Sequence, residues 1–355
     1  MFLQFIELIM KILHIANTDR FSGAENVMCQ IINMFKVAYP DIEMAYVSPD
    51  GSIREALRDR GVRFIPLKSM CVSELKRVFK EEKPDVVHAH DMKASFIASL
   101  ACGNIRLILH LHNNDYANRR LSLKSLAFLM SSIKAHHIFY VSQSSYEGFI
   151  FHKWFKNKSS VLYNIIDINE LYRKAEIDKG EYNYDVIYLG RFTYPKDPLR
   201  LLKVIKGVVE KKPDVKVAFI GTGEMEDEVR KEMSIQGLDK NVDMLGFIAN
   251  PTKILMSSKL MVMTSRWEGT PMCALESMAL GTPIISTPTD GLKVLIKDGI
   301  SGFISNDDDV LVDRIIQTLS DCELRKHLSE ACIQEAKQRN NISNYINTIY
   351  GAYAQ

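Results

Sequence analysis

Two glutamates, Glu268 and Glu276, are separated by seven residues in the segment SRWEGTPMCALESMALGTPIIST (265–287). The segment predicts a helix with Pro271 at its first position and Gly281 closing it about three turns later. Glu268 then lies in the loop before the helix, and Glu276 lies one to two turns inside it. The two carboxylates therefore flank a helix N-terminus.

The start of this predicted helix suits a phosphate. Backbone N–H groups around Thr270, Met272 and Cys273 point out of the helix start, where they and the helix dipole attract an anion. A carboxylate one turn further along, that of Glu276, is positioned to accept two hydroxyl groups of a ribose. The alternative is an exposed acidic first turn that the helix dipole stabilises without any ligand.

Two cations lie in a second segment, LGRFTYPKDP (189–198), which follows a predicted strand. Arg191 comes directly after Gly190 at the strand end, and Lys196 comes five residues later, before a predicted helix. An arginine fork and a lysine point charge at a strand end neutralise a diphosphate leaving group without a metal ion. The alternative is a solvated basic loop.

Glycines mark two further strand-end turns. The segment GTGEME (221–226) contains Gly221 and Gly223 but lacks the third glycine of a dinucleotide-binding fingerprint. It indicates a tight turn beside a phosphate and gives little support for NAD. In TDRFSGAEN (18–26), Gly23 at the start of the first helix allows close approach of a ligand to the backbone.

Four histidines, His88, His90, His110 and His112, end two predicted neighbouring strands. Each i, i+2 pair shares one face of its strand, but no Asp, Glu or Cys completes a metal-ligand set, so we expect no metal site here. We predict that His112 is the hydrogen-bond partner of a substrate and that the other three are core histidines.

Short β-branched runs alternate with helical patterns along the whole chain, which is typical of parallel βαβ units. The predicted fold is α/β, with two Rossmann-like, doubly wound parallel sheets facing across a cleft, and ligands bound beyond the carboxyl ends of the strands. The predicted strands are 11–17, 43–49, 62–68, 85–90, 106–112, 136–142, 160–166, 185–191, 214–221, 241–247, 260–265 and 283–288.

The predicted domains follow from where this alternation stops and restarts. Residues 1–167 form an N-terminal, acceptor-side domain, and the polar stretch 168–184 forms the linker. Residues 185–338 form the C-terminal nucleotide-sugar domain. Residues 339–355 form a helix that crosses back to the N-terminal domain.

Composition excludes several classes of protein. Of 355 residues, 46% are apolar and 25% are charged, which is typical of a globular protein and not of a disordered one. The net charge of +2 gives no field that would attract nucleic acid. Six cysteines without a CxxC pair favour reduced thiols in the cytosol. The chain also lacks GxSxG, HExxH and GxxxxGK[ST], the motifs of serine hydrolases, zinc proteases and P-loop NTPases.

Two segments bear on membranes. Residues 1–9 lack the features of a secretory signal, and we interpret them as an upstream start or, alternatively, a short membrane-touching extension. Residues 118–134, NRRLSLKSLAFLMSSIK, predict a basic amphipathic helix that lies on an anionic membrane surface. A core-packed surface helix is the alternative. Its apolar residues at helical spacing are Leu123, Leu126, Ala127, Met130 and Ile133.

Taken together, five segments resemble the motifs of one family in order, the retaining GT-B glycosyltransferases of family 4 (glycosyl transferases group 1). The resemblance spans about residues 10 to 305. Ser22, Ile165 and the Thr270–Pro271 pair depart from the commonest family residues, but each charged position is kept. The segments are FSGAEN, DVVHAHDMKASFIA, LYNIID, LGRFTYPKD and the E-x7-E region SRWEGTPMCALESMALGTPIIST.

The resemblance implies transfer of a sugar from a nucleotide diphosphate sugar with retention of anomeric configuration. In that family the equivalents of Arg191 and Lys196 hold the diphosphate. Those of Glu276 and Glu268 contact the ribose and the donor sugar. The family attacks on the same face, and the leaving diphosphate takes the acceptor proton.

The same resemblance places Gly23 beside the phosphates and His112 near the reacting sugar. Gly221 and Gly223 border the nucleotide pocket, and the base lies near Ile248. The family needs no metal or other cofactor, and UDP is the expected donor nucleotide.

The basic helix and the family analogy predict a lipid-linked saccharide acceptor and a cytoplasmic protein held peripherally at the inner face of the cell membrane. The implied pathway is bacterial capsule, exopolysaccharide or O-antigen synthesis. One alternative is a two-Rossmann nucleotide-sugar epimerase or glycan phosphorylase. Another is a non-catalytic nucleotide-sugar binding protein.

Overall fold

The computed structural model describes residues 10–112 and 116–354. Contacts divide the chain into two units, each described by itself below. The first contains the described residues up to Asn164 together with the helix Ile342–Ala354, and the second contains Ile165–Asn341. The segment 1–9, for which we predict an upstream start, lies outside the described residues.

Each unit is built on one sheet of parallel strands. Because the central strands are covered on both faces, they appear in the sequence as nearly continuous apolar runs. The strands are β1 (Met10–Ile15), β2 (Ile42–Pro49), β3 (Phe64–Leu67), β4 (Val86–His90), β5 (Arg106–Leu111), β6 (His137–Tyr140), β7 (Ser159–Val161), β8 (Val186–Leu189), β9 (Val217–Ile220), β10 (Val242–Gly246), β11 (Leu260–Met263), β12 (Ile284–Ser286) and β13 (Gly302–Ile304).

Helices connect successive strands and pack against the sheets. They are α1 (Gly23–Ala38), α2 (Ile53–Asp59), α3 (Val72–Glu82), α4 (Met92–Ala101), α5 (Leu123–Lys134), α6 (Gln143–Glu147), α7 (Ile168–Ile177), α8 (Pro198–Lys211), α9 (Glu226–Ile235), α10 (Thr252–Ser257), α11 (Met272–Ala279), α12 (Asp290–Leu295), α13 (Asp308–Ser320), α14 (Cys322–Arg339) and α15 (Ile342–Ala354). Short 3₁₀ segments occur at Tyr116–Arg119, His152–Lys158 and Tyr194–Lys196.

Both sheets are doubly wound, which confirms the predicted fold class. The strand order of the first is β3-β2-β1-β4-β5-β6-β7, and that of the second is β10-β9-β8-β11-β12-β13. The order reverses between β1 and β4 in the first sheet and between β8 and β11 in the second. In such sheets, ligands bind outside the carboxyl ends of the strands at this reversal.

The structure differs from the predicted elements at three places. Strand β13 was not predicted, because it has only three residues between turns. The segment 168–184, predicted as a linker, includes helix α7, which buries Leu171 and Ala175 and belongs to the second unit. The helix predicted from 118 begins at Leu123, because the side chains of Ser122 and Ser125 form a capping box there.

Helix α15 packs against the first unit through aromatic side chains. Tyr353 is buried, its ring lies 5.6 Å from that of Phe35, and its Oη lies 2.7 Å from Nδ1 of His88 on β4. One turn earlier, Tyr350 stacks on Tyr39 with a centroid distance of 4.5 Å. A buried hydrogen bond therefore joins α15 to the central sheet.

We predict that Tyr353→Phe lowers the free energy of unfolding by about 1–3 kcal/mol, because it leaves a buried imidazole nitrogen without its partner. The measurement is urea unfolding followed by circular dichroism. Tyr350→Phe is the matched control, since it removes a hydroxyl from a half-buried tyrosine of the same helix, and we expect a change within about 0.5 kcal/mol. Equal losses in the two variants would contradict a specific role for the hydrogen bond.

Candidate active site

A lysine and a glutamate pair at the carboxyl ends of β8 and β11, beside the strand reversal of the second unit. Lys196 Nζ forms an ion pair with Oε1 of Glu268, and both side chains are largely buried. Ser265 Oγ donates to the same carboxylate oxygen over 2.7 Å. The structure thus brings together two predicted site residues that are 72 positions apart in the chain.

The charges of this pair support each other. Burial alone would lower the pKa of Lys196, but the Glu268 carboxylate raises it above its usual value, while Arg191 opposes that increase. Burial raises the pKa of the Cys273 thiol to about 12, despite the nearby lysine. Lys196 is therefore a cation at neutral pH, and Cys273 is an uncharged thiol beside it.

A second ion pair joins the same two loops. Arg266 forms an ion pair with the buried Asp197 at 2.9 Å, and its guanidinium carbon lies 4.4 Å from the ring centroid of Tyr194. Its backbone N–H donates to the carbonyl of Pro195 over 2.8 Å. These contacts fix the loop carrying Lys196 against the loop carrying Glu268, while Arg191 at the start of the first loop is exposed.

The predicted glycine turns pack directly on this loop. A Cβ atom at Gly221 would lie 2.0 Å from the carbonyl oxygen of Gly190, and one at Gly223 would lie 2.2 Å from that of Phe192. Phe192 in turn donates its N–H to the carbonyl of Thr222. The GTG turn therefore needs glycine for backbone contact within the second unit, whether or not it also contacts a ligand.

Helix α11 begins one residue later than predicted. Pro271 is its N-cap, with ψ of 125°, because the helix itself starts at Met272. The Pro271 side chain does not cap this end, and the N–H groups of Met272 and Cys273 lie in the first turn, where a helix leaves its N–H groups without intrahelical partners. Glu276 lies in the second turn, half-buried, and Gly281 ends the helix with φ of +76°.

Two further predicted site residues of the second unit lie beside these loops. Thr270 is buried directly before Pro271. Ile248 is half-buried two residues after β10, whose terminal Gly246 accepts a hydrogen bond from Gly221 N–H over 2.8 Å. Ile248 therefore follows the strand whose end is bonded to the GTG turn.

Gly23 and His112 belong to the first unit. Gly23 is the first residue of α1, and a Cβ atom there would meet no described atom within 4 Å. The packing of the described residues therefore does not explain glycine at this position. Next to it, Ser22 Oγ donates to Glu25 Oε2 over 2.5 Å.

His112 directly follows β5 and is held by another histidine. Its Nε2 lies 2.7 Å from Nδ1 of His90, whereas its Nδ1 has no hydrogen-bond partner among the described residues. Burial lowers the pKa of His112 to about 3. The ring is therefore neutral at physiological pH and presents one nitrogen as donor or acceptor.

Two family models match this chain. The family model for glycosyl transferases group 1 matches residues 169–335, and the model for glycosyltransferase family 4 matches residues 22–170. The chain belongs to glycosyltransferase family 4. The two matches cover the chain from α1 to α14 and include each of the predicted site residues.

Individual relatives of this family 4 glycosyltransferase are distant. An uncharacterized glycosyltransferase of Methanocaldococcus jannaschii, MJ1059, is 28% identical over 60% of this chain and 58% of its own length. The Escherichia coli UDP-Gal:alpha-D-GlcNAc-diphosphoundecaprenol alpha-1,3-galactosyltransferase is 24% identical over 96% of this chain and 94% of its own. The chain thus spans little more than half of the first relative and nearly all of the second.

Solved structures establish the fold as GT-B. The crystal structure of Anabaena Alr3699/HepE in complex with UDP and glucose superposes with a TM-score of 0.84 at 19% identity, covering 97% of this chain and 99% of that one. At this identity the likeness concerns the fold alone. It agrees with the two doubly wound sheets described above.

Sequence reasoning missed several residues that shape the site of this glycosyltransferase. Ser265 and Arg266 were not distinguished from their neighbours, because their partners are distant in sequence. Gly291 was missed although its signal was available, a glycine in the first turn of a helix capped by Thr289. A Cβ atom at Gly291 would lie only 1.4 Å from the carbonyl oxygen of Gly269. The loop carrying Glu268 therefore rests on the bare backbone of α12.

We predict that Gly291→Ala displaces this loop and destabilises the protein by about 1–3 kcal/mol, because the added methyl overlaps backbone that cannot move freely. Urea unfolding and hydrogen–deuterium exchange over residues 264–270 measure both effects, and we expect faster exchange. The control is Gly351→Ala on α15, where a Cβ atom meets nothing within 4 Å. Unchanged exchange in Gly291→Ala would contradict the proposed support of the loop.

Proposed function

We propose that the chain is a retaining glycosyltransferase that moves a sugar from a UDP-sugar to a lipid-linked saccharide. The observation that carries the proposal is the buried Lys196–Glu268 pair beside the open N-terminus of α11. A cation, a carboxylate and the N–H groups of a helix start are the groups that a diphosphate and a sugar require. UDP is the nucleotide in the Anabaena crystal structure and in the name of the E. coli relative.

Each group has a distinct role in this proposal. The exposed guanidinium of Arg191 and the ammonium of Lys196 bind the diphosphate, together with the N–H groups of Met272 and Cys273. Glu276, on the second turn of α11, accepts hydrogen bonds from the ribose hydroxyls. The Glu268 carboxylate accepts hydrogen bonds from hydroxyls of the donor sugar. Its Oε1 already accepts hydrogen bonds from Lys196 and Ser265.

In the proposed reaction the bond between the anomeric carbon and the β-phosphate oxygen breaks. The acceptor hydroxyl attacks from the same face, which retains the configuration, and its proton passes to the departing diphosphate oxygen. Arg191, Lys196 and the helix start stabilise the negative charge that develops on that diphosphate. For His112 of the first unit we propose the role of a hydrogen-bond partner of a substrate, through a neutral ring whose buried Nδ1 has no partner among the described residues.

The test measures UDP binding and acceptor-dependent UDP release from a panel of UDP-sugars. We expect Glu276→Gln to weaken UDP binding at least tenfold. At UDP concentrations about 100 times the Kd of the wild type, ligand adds about 2.7 kcal/mol of stability, which corresponds to a shift of several degrees in Tm. About half of that shift or more is lost in the variant, because the ribose loses a charged acceptor.

Glu268→Gln separates binding from transfer. We expect UDP release to fall by roughly 100-fold or more, because the group that positions the sugar and the lysine is altered, while UDP itself still binds. Glu228→Gln, at an exposed glutamate of α9, is the control for both variants.

A Tm that rises with GDP or ADP but not with UDP would contradict the UDP assignment. UDP release that does not need an acceptor would contradict sugar transfer. NMR of the product anomeric proton tests retention.

We also propose that α5 docks on an anionic membrane surface, which would bring the enzyme to a lipid-linked acceptor. The two faces of this helix are arranged unusually. Phe128 and three serines face the protein, whereas several large apolar side chains are exposed to solvent. Leu123 is 87% exposed, Ile133 65% and Met130 55%. The buried serines are Ser125, Ser131 and Ser132.

Neighbouring residues extend this surface. Lys158 Nζ donates to the carbonyls of Ile133 and Ala135 at the end of α5, which fixes the 3₁₀ segment His152–Lys158 beside the helix. On that segment Trp154 is 71% exposed. An exposed tryptophan and an apolar stripe with basic residues are the features of an interfacial anchor. Within the described residues, no helix is both long and apolar enough to cross a bilayer.

The membrane prediction concerns the double variant Leu123→Ser/Met130→Ser. We expect its partition onto vesicles containing anionic phosphatidylglycerol to fall more than tenfold, because each buried leucine or methionine contributes about 1.5–3 kcal/mol. Sedimentation with vesicles measures this, and Ile235→Ser/Ile300→Ser, at exposed apolar positions of the second unit, is the control. Equal binding of both double variants would contradict docking through α5.

A further inference from the structure

Three buried histidines of the first unit direct their ring nitrogens toward one another. His14 on β1 pairs in register with His88 on β4, and His90 lies two residues further along β4, so all three rings share one face of the sheet. None is more than 1% exposed. From the sequence alone we expect no metal site, because the histidines of β4 and β5 lack an acidic or thiol ligand beside them. The strand pairing adds His14, which lies 74 residues before His88 in the chain.

The distances suit ligands of one small ion. One nitrogen from each ring lies within 4.8 Å of the other two. His14 Nδ1 and His90 Nε2 form a hydrogen bond of 2.9 Å, and an ion bound to His90 Nε2 would replace that bond. Nε2 of His14 and Nε2 of His88 are buried without a hydrogen-bond partner among the described residues. Buried polar atoms are normally satisfied, so these two nitrogens require an explanation. A late first-row transition metal accepts the lone pairs of such neutral imidazoles.

Hydrogen bonds already orient two of the rings by their other nitrogen. Nδ1 of His88 lies 2.7 Å from Tyr353 Oη, and Nδ1 of His90 lies 2.7 Å from His112 Nε2. Metal-binding histidines usually donate the second ring N–H to such a partner, which fixes the tautomer and the ring plane. If both rings donate through Nδ1, each keeps its Nε2 lone pair for the ion.

We propose that His14, His88 and His90 bind a single transition-metal ion of the zinc type between β1 and β4. The site differs from the diphosphate-binding residues proposed above, which lie in the second unit, and it does not depend on the proposed reaction. Three neutral ligands leave the charge of the ion uncompensated, so we expect weaker binding than in thiolate sites. Because Tyr353 supports His88, the ion would also hold α15 in place.

An overlapping triplet, formed by His90, His110 and His112, is the competing assignment. It shares His90, but His112 is only partly buried, and His110 has no hydrogen-bond partner for either nitrogen among the described residues. No second partner thus orients His110 as Tyr353 orients His88. We therefore assign the ion to the triplet on β1 and β4.

The experiment uses the full chain, stripped with EDTA and checked by circular dichroism. Zn²⁺ is titrated by calorimetry and Co²⁺ by visible absorption, with His14→Asn, His88→Gln and His110→Gln beside the wild type. His327→Asn, at an exposed histidine of α14, is the control. We expect one equivalent per chain, at least tenfold weaker binding in the first two variants, and less than threefold change in His110→Gln and in the control.

Folded, stripped wild type that takes up no stoichiometric Zn²⁺ or Co²⁺ would overturn the proposal. Loss of binding in His110→Gln but not in His14→Asn would overturn it in favour of the other triplet. Because buried histidine variants can fail to fold, X-ray absorption of the zinc-loaded wild type provides a second measurement. We expect three imidazole nitrogens at about 2.0–2.1 Å, and a shell made mainly of oxygen would count against the site.

Discussion

The buried ion pair between Lys196 and Glu268 ties together the two loops that carry the candidate site of the second unit. Removing two charges from water is costly, and it is tolerated only where geometry and further hydrogen bonds compensate. Here the compensation comes from Ser265 and from the Arg266–Asp197 pair, which fasten the same two loops together. Breaking one partner would leave an uncompensated charge, so the loops hold one arrangement. This rigidity holds the Lys196 ammonium in one position, which favours the binding of a diphosphate without rearrangement of the site.

Glycine backbone provides the second constraint. The loop with Glu268 rests on Gly291, and the loop with Arg191 rests on Gly221 and Gly223, each at distances that exclude a Cβ atom. The glycines of the GTG turn thus serve packing between backbones, whatever they do for a ligand. This explains why the turn carries two glycines but not the third that dinucleotide-binding loops use to pack a helix closely on its strand.

Much of this arrangement was predictable from local pattern, and some was not. The alternation of strands and helices gave the two sheets, because buried parallel strands appear as apolar runs of characteristic length. Spacing also placed Glu268 before α11 and Glu276 inside it. Local pattern cannot predict which distant residues meet. Examples are His14 and His88, which pair between two strands, and Arg266 and Asp197, which form an ion pair between two loops. The apolar stripe of α5 was equally visible, yet only the structure shows that three serines are buried on the protein side beside Phe128 and Leu129, while Leu123 is exposed.

Helix α15 has a consequence for biosynthesis. The first unit buries Tyr353 against β4, but α15 is translated only after the whole second unit, residues 165–341, has been synthesised. At roughly 5–20 residues per second, that delay is about 10–35 s. During this time the first sheet is exposed where α15 will pack, whereas the second unit has all its strands and helices once its own residues are synthesised. We therefore expect the nascent first unit to be the part of the chain that needs chaperone protection.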